Sequence, residues 1–206
     1  MLIYIVIFLI AYLFGSIPTA FIFIKLTQKK DIRREGSGNV GAMNALRTSK
    51  SRLIGLLVML FDIAKGVLPM WFVLNYYGYL PQADLVTVSG LVLGHVYPVW
   101  LKFKGGRGLA VAAGALLVIN WQLVVIWLII WLFFFVMIQK HIVASLVSTF
   151  LLPIIVYFMR EEYFSNHILL MTLIVTMLIF QRHLERIPDL VEQKRESINN
   201  GAGNGN

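Results

Sequence analysis

The sequence predicts an all-α integral membrane protein of seven transmembrane helices, with its N-terminus outside and its C-terminus cytoplasmic. Three observations carry this. Of the 206 residues, 59% are hydrophobic and only 14% are charged, with a mean hydropathy of +0.79, whereas soluble domains hold roughly 45–50% apolar and about 25% charged residues. The apolar excess is gathered into runs long enough to cross a hydrocarbon layer of about 30 Å. The basic residues fall between those runs, and almost all of them fall between runs that share one side.

Taken in order, the runs give the count. Met1 to Ile24 is uncharged and forms the first span. It lacks a basic start and is longer than the roughly 7–15-residue apolar stretch of a signal peptide, so it is expected to stay in the mature protein. Leu53 to Leu74 and Leu85 to Leu101 are the second and third. Leu109 to Ile138 has 30 residues, long for one crossing and short for two, and is interrupted by Asn120, Trp121 and Gln122, a triplet suited to an interfacial turn. Ile142 to Met159 and about Ile168 to Phe180 complete the set.

Charge decides the ambiguous run. If it crosses twice, the segments Lys25 to Arg52, Lys102 to Arg107, Lys140, and Arg182 to Arg195 share one side and hold 16 of the 18 basic residues. Lys65 then lies inside a span, and Arg160 alone lies opposite, beside Glu161 and Glu162. This is the positive-inside pattern, so seven helices are expected, the short Leu109 to Ile119 helix reaching only part way. Residues 1–196 read as one polytopic membrane domain. Residues 197–206, rich in Asn and Gly, read as a disordered tail.

Several chemistries are excluded at once. The chain has no cysteine, so disulfides, thiolate nucleophiles and Cys-ligated metals are out. His95, His141, His167 and His183 show no i, i+4 pairing and no H-E-x-x-H context, so no metal site is expected. The net charge of +8 is accounted for by cytoplasmic loops, which assigns it to membrane and anionic ligands and not to nucleic acid. Gly-Lys-Ser and Gly-Lys-Thr are absent, so nucleotide hydrolysis has no support.

Two loops suit phosphate. The first, Lys25 to Arg52, is 28 residues long and centred on Gly36-Ser37-Gly38-Asn39-Val40-Gly41-Ala42-Met43-Asn44-Ala45-Leu46-Arg47. It formally spells G-x-G-x-x-G, but it follows a charged stretch and no strand, so the dinucleotide reading fails. Glycines let backbone N–H groups curl inward, Asn39 is expected to cap a short helix from Val40 to Arg47, and Gly41, Asn44 and Arg47 then share a helical face. The competing reading is a capped helix lying on the membrane. The second loop carries Lys102, Lys104, Gly105, Gly106, Arg107 and Gly108, a pairing of cations and glycines that favours close backbone approach to an anion over a merely flexible positive loop. Asp62 and Lys65 sit three residues apart within the second span, where a structural ion pair competes with a role lining a wet cavity. Ser16, Pro18 and Thr19 mark a kink, and Gly90 with Gly94 makes a small-residue packing pair. His183 follows the last span on the same side as both loops, a candidate acid–base or substrate-contacting residue set against an ordinary interfacial histidine.

Together, Gly-Ser-Ile-Pro in span one, the motif at 36 to 47, Phe61-Asp62-x-x-Lys65-Gly66, Gly94-His95 through Gly108, and Arg182-His183-x-Glu185 resemble the bacterial acyl-phosphate:glycerol-3-phosphate acyltransferase family over residues 1 to about 190. The resemblance implies a seven-helix fold with a cytoplasm-facing site in the bacterial cell membrane. There the primary, sn-1 hydroxyl of glycerol 3-phosphate attacks a fatty acyl phosphate, giving lysophosphatidic acid, the first step of phospholipid synthesis. It implies no further cofactor. By similarity, Gly36, Ser37, Gly38, Asn39, Asn44 and Arg47 form a phosphate pocket with Lys104, Gly105, Gly106 and Arg107, while His183, Ser37 and Arg47 act on the reacting groups. Asp62, Lys65 and His95 are further candidates. The H-x4-D pair of other glycerolipid acyltransferases is absent, Asp189 standing six residues after His183. Met43, Arg107, Val111 and Arg186 stand where the family usually has Thr, Lys, Thr and Asn. Two rival functions remain: a transporter or scramblase of anionic lipids, motivated by Asp62 and Lys65, and a non-enzymatic phosphate or headgroup binder, motivated by those four departures.

Overall fold

A computed structural model of the chain describes residues 1–78 and 80–185. Arg186 and the expected tail at 197–206 lie outside the described residues. Every regular element among the described residues is helical: α1 (Leu2–Gly15), α2 (Thr19–Gln28), α3 (Ala42–Ser49), α4 (Arg52–Tyr77), α5 (Pro81–Val96), α6 (Leu109–Ile138), α7 (His141–Met159) and α8 (Asn166–Glu185), with single 3-10 turns at Ile32–Arg34 and Val99–Leu101. Among the described residues, six stretches are long and apolar enough to cross a membrane, α1 and α2 counting as one.

The first span is broken where the sequence marks a kink. Pro18 has no N–H to continue the ladder, so α1 stops at Gly15 and α2 restarts at Thr19. The expected pair Gly90 and Gly94 packs as read: a Cβ at Gly90 would sit 2.7 Å from Phe8 O, and one at Gly94 would overlap Tyr12 O. Tyr12 Oη donates to Tyr97 O at 2.7 Å, fastening α1 to the end of α5. A second close crossing, not anticipated from the sequence, joins α4 to α6, where side chains at Gly66 and Gly114 would overlap the backbone of Val111 and Ile63. Backbones meeting this closely gain dispersion contacts that lipid cannot replace.

The expected count of seven differs from the six qualifying stretches only at α6. Its thirty residues are interrupted at Asn120, whose φ of −159° and ψ of 100° are extended and not helical. Asn120 Oδ1 accepts from Gln122 N at 3.0 Å, restarting the helix. A straight helix of this length would part its ends by about 45 Å. Yet Arg107, just before it, lies within electrostatic reach of His141, just after it. The two halves therefore double back on each other at Asn120. Leu109, Ala113 and Leu116 from the first half and Leu123, Val124 and Trp127 from the second line one cavity.

Candidate functional site

The first loop is wound around one side chain. Asn44, buried in α3, donates through Nδ2 to Ile32 O (3.2 Å), Glu35 O (3.0 Å) and Asn39 O (3.0 Å). Its Oδ1 accepts from Ser37 N at 3.1 Å. Gly36 and Gly38 make the curl possible, with φ of +54° and +65° that side-chain-bearing residues rarely adopt. Asp31 holds the base of the loop, its carboxylate taking Arg33 Nη2 at 2.7 Å, and that guanidinium holds the Asp31 carboxyl below the usual range.

One expectation is corrected here. Asn39 does not cap α3: the helix begins at Ala42 with Gly41 as its N-cap and no side-chain cap bond, because the Asn39 carbonyl is drawn to Asn44. The Asn44 amide is bonded at both ends within the loop itself. Gly41 is the extended N-cap (φ −156°), and its carbonyl accepts the first helical bond, from Ala45 N at 3.0 Å. Asn39 is buried, and its Oδ1 finds no hydrogen-bond partner among the described residues. Arg47 stands exposed one turn beyond Asn44.

The second loop folds back on the end of α5. Gly105 N donates to Val96 O at 3.1 Å and Gly106 N to His95 O at 3.0 Å. From the other side Arg182 on α8 takes the carbonyls, Nη2 to Gly105 O at 3.1 Å and Nε to Gly106 O at 3.3 Å, with its guanidinium over the Tyr97 ring. A Cβ at Gly106 would lie 2.7 Å from Val40 O and overlap the His95 imidazole. So the first loop, the second loop and the end of α8 meet at Gly106. His183, adjacent to Arg182, is buried, and its Nδ1 lies 2.8 Å from Ile179 O. A carbonyl only accepts, so Nδ1 carries the proton and Nε2 is the basic nitrogen of the neutral ring. Lys104 is exposed at the loop's rim.

Arg107 is the electrostatic centre. Burial, and then the like charges of Arg47 and Arg182, pull its guanidinium below its ordinary value. It stays cationic, and its Nε finds no hydrogen-bond partner among the described residues. Arg47 and Arg107 both reach His141 electrostatically. Guanidinium groups gathered this way with a donor to spare match a phosphate, whose oxygens accept bidentate bonds.

Beneath the second loop lies the intramembrane pair. Lys65 Nζ is 2.8 Å from Asp62 Oδ1 and 2.7 Å from Ile17 O, a carbonyl in the α1–α2 break, and Thr19 Oγ1 donates to Asp62. Lys65 also faces His95 Nδ1 at 3.5 Å. The ion-pair reading thus holds, and the kink supplies its partners. Arg182, His141 and Thr19 went unselected as site residues from the sequence. Only Arg182 gave a signal, as the neighbour of His183 in one helical turn.

Between α4, α6, α7 and α8 lies an apolar cavity of about 240 Å³, lined among others by Leu109, Leu116, Leu123 and Ile179, the last of them beside Gly108.

Helices of membrane-crossing length, with Arg47, Arg107 and Arg182 gathered at a glycine-rich loop, define an integral membrane protein with a cluster of cations at one site. A profile of the glycerol-3-phosphate acyltransferase family matches residues 5–193. The chain is 41% identical over 188 residues to a glycerol-3-phosphate acyltransferase of Pelagibacter ubique, covering 91% of this chain and 93% of that one. It is 38% identical over 190 residues to one of Anaplasma phagocytophilum, covering 91% and 95%. Among solved structures it is similar to PlsY (YgiH), an integral membrane glycerol 3-phosphate acyltransferase, in its glycerol 3-phosphate form, with a TM-score of 0.79, 30% identity and 92% of each chain covered. The lysophosphatidic acid form of that protein gives 0.77 at 29% identity, again over 92% of each chain. The chain belongs to the glycerol-3-phosphate acyltransferase family.

Proposed function

We propose that this chain transfers a fatty acyl group from acyl phosphate to the sn-1 hydroxyl of glycerol 3-phosphate. The hydroxyl oxygen bonds to the acyl carbon, the acyl carbon–oxygen bond to phosphate breaks, and lysophosphatidic acid and inorganic phosphate leave. The observation that carries this reading is the Arg107 guanidinium, with its Nε unpartnered among the described residues and with Arg47 and Arg182 as its charged neighbours.

The donor is already activated, so no acyl-enzyme is required. What the protein supplies is charge stabilisation for the leaving phosphate and orientation of the alcohol. Ser37, Gly38, Asn39 and Arg47 hold one phosphate and Arg107, carried by the Gly105–Gly106 turn, holds the other, Lys104 adding charge at the rim. His183 meets the acceptor hydroxyl through Nε2, and the departing phosphate takes its proton. Purified protein in lipid is expected to release inorganic phosphate and form lysophosphatidic acid only with both substrates present. Phosphate release with donor alone would overturn the reading.

The acyl chain is assigned to the apolar cavity. Its mouth lies beside Gly108 and its walls are almost wholly hydrocarbon. Ala113→Trp places a bulky ring on that wall. It is expected to weaken use of long-chain acyl phosphates by roughly fourfold for each methylene excluded, about 0.8 kcal/mol apiece, with short-chain donors spared. Initial rates across a chain-length series check this.

The arginine cluster is assigned to the cytoplasmic face, with seven crossings and an outside N-terminus. The distribution of basic residues supports this, as does the reversal at Asn120, which returns α6 to the face where it began. Because the chain lacks cysteine, single substitutions can be labelled cleanly. A cysteine at Lys140 is expected to react from the cytoplasmic side and one at Arg160 from the outside.

A further inference from the structure

We propose that His95, locked by the intramembrane pair Asp62 and Lys65, is a positioning residue for the phosphate-binding loop Gly105–Gly106–Arg107. The inference rests on the phosphate-binding role given above to that loop. Asp62, Lys65 and His95 are 2%, 4% and 8% exposed, too deep for contact with bulk solvent, and the reaction above uses none of them.

The geometry ties them to the loop. His95 Nδ1 faces the ion pair, 3.5 Å from Lys65 Nζ and 3.8 Å from Asp62 Oδ1, which turns its Nε2 edge toward Gly106. Lys65 is itself fixed by Asp62 Oδ1 and by the Ile17 carbonyl in the helix break. The imidazole edge therefore has one orientation, and it abuts Gly106 so closely that no side chain fits there. The Gly105 and Gly106 N–H groups are bonded to the end of α5, and their carbonyls are bonded to Arg182. The loop is thus gripped between a guanidinium on α8 and an imidazole on α5, and Arg107 is the next residue along the chain. Intramembrane ionisable residues usually serve an ion path or one another; here they set the pose of a ring that supports an anion site.

The test measures inorganic phosphate affinity by equilibrium binding and KM for glycerol 3-phosphate, on full-length protein in lipid nanodiscs. His95→Leu is expected to weaken phosphate binding roughly tenfold and to raise KM in parallel, with kcat falling less, a size usual for coupled neighbours. Lys65→Met should reproduce that pattern. His95→Gln, which keeps an N–H donor at a similar reach, should restore most of the affinity. The decisive readout is a double-mutant cycle. With Arg107→Ala already in place, His95→Leu should cost almost no further phosphate affinity, since it acts through that arginine. Full additivity, or phosphate affinity within about twofold of the unmodified protein in a His95→Leu variant with an intact thermal transition, would overturn the proposal. Binding does not depend on turnover, so a protein that binds phosphate as described but makes no lysophosphatidic acid counts against the acyl-transfer reading and leaves this one standing.

Discussion

Arg47→Ala is expected to reduce turnover of acyl phosphate and glycerol 3-phosphate by roughly a hundred- to a thousandfold, the range seen when one preorganised donor is removed from a developing anion. Little of that loss should come from folding. Arg47 stands exposed near the end of α3, while the loop before it is held by Asn44 and not by the arginine. The thermal midpoint should therefore stay close to that of the unmodified protein, and the double measurement separates chemistry from stability. Arg47→Lys restores the charge without the planar fork. It should recover part of the rate and leave a defect of about tenfold, on the order of 1.4 kcal/mol. If Arg47→Ala retained most of its activity in lipid, the phosphate pocket would lie elsewhere.

Gly106→Val is expected to be at least as damaging by a different route. A Cβ there meets the Val40 carbonyl at 2.7 Å and runs into the His95 ring. One of those neighbours is main chain, so rotamer adjustment cannot relieve the overlap, and the second loop must lift from α5. Lifting it breaks the two N–H bonds to Val96 and His95 and pulls the carbonyls away from Arg182. Each such bond contributes about 1 kcal/mol, and Arg107 leaves its place as they go. Turnover is expected to fall by more than about a hundredfold, with far-ultraviolet circular dichroism still helical. Retained activity would mean that the loop is not held where it is seen.

Much of the architecture could be read in advance because lipid imposes simple lengths. Apolar runs of span length became helices, the polar triplet at Asn120 became a break, and Asp62 paired with Lys65 because three residues along a helix put both on one face. Two glycine-rich, cationic loops stood out by composition, and the structure brings them together at Gly106. What could not be read was how the pieces meet. Asn44 gave no sign of holding the first loop together, because its partners, 5 to 12 residues back, appear only once the loop has curled. The grip of Arg182 spans 76 and 77 residues of sequence to Gly106 and Gly105, and no local pattern encodes it. Gly66 and Gly114 are ordinary small residues until α4 and α6 cross.

The reversal of α6 at Asn120 gives a hydrocarbon-lined cavity whose lining reaches Gly108, next to Arg107. A catalyst of that shape samples two phases at once. Its acceptor is counted as a molarity in water, while its donor is counted as a mole fraction in a two-dimensional film. Diluting the bilayer with inert lipid at constant total donor should therefore slow the enzyme, whereas enlarging the aqueous volume at constant acceptor molarity should not.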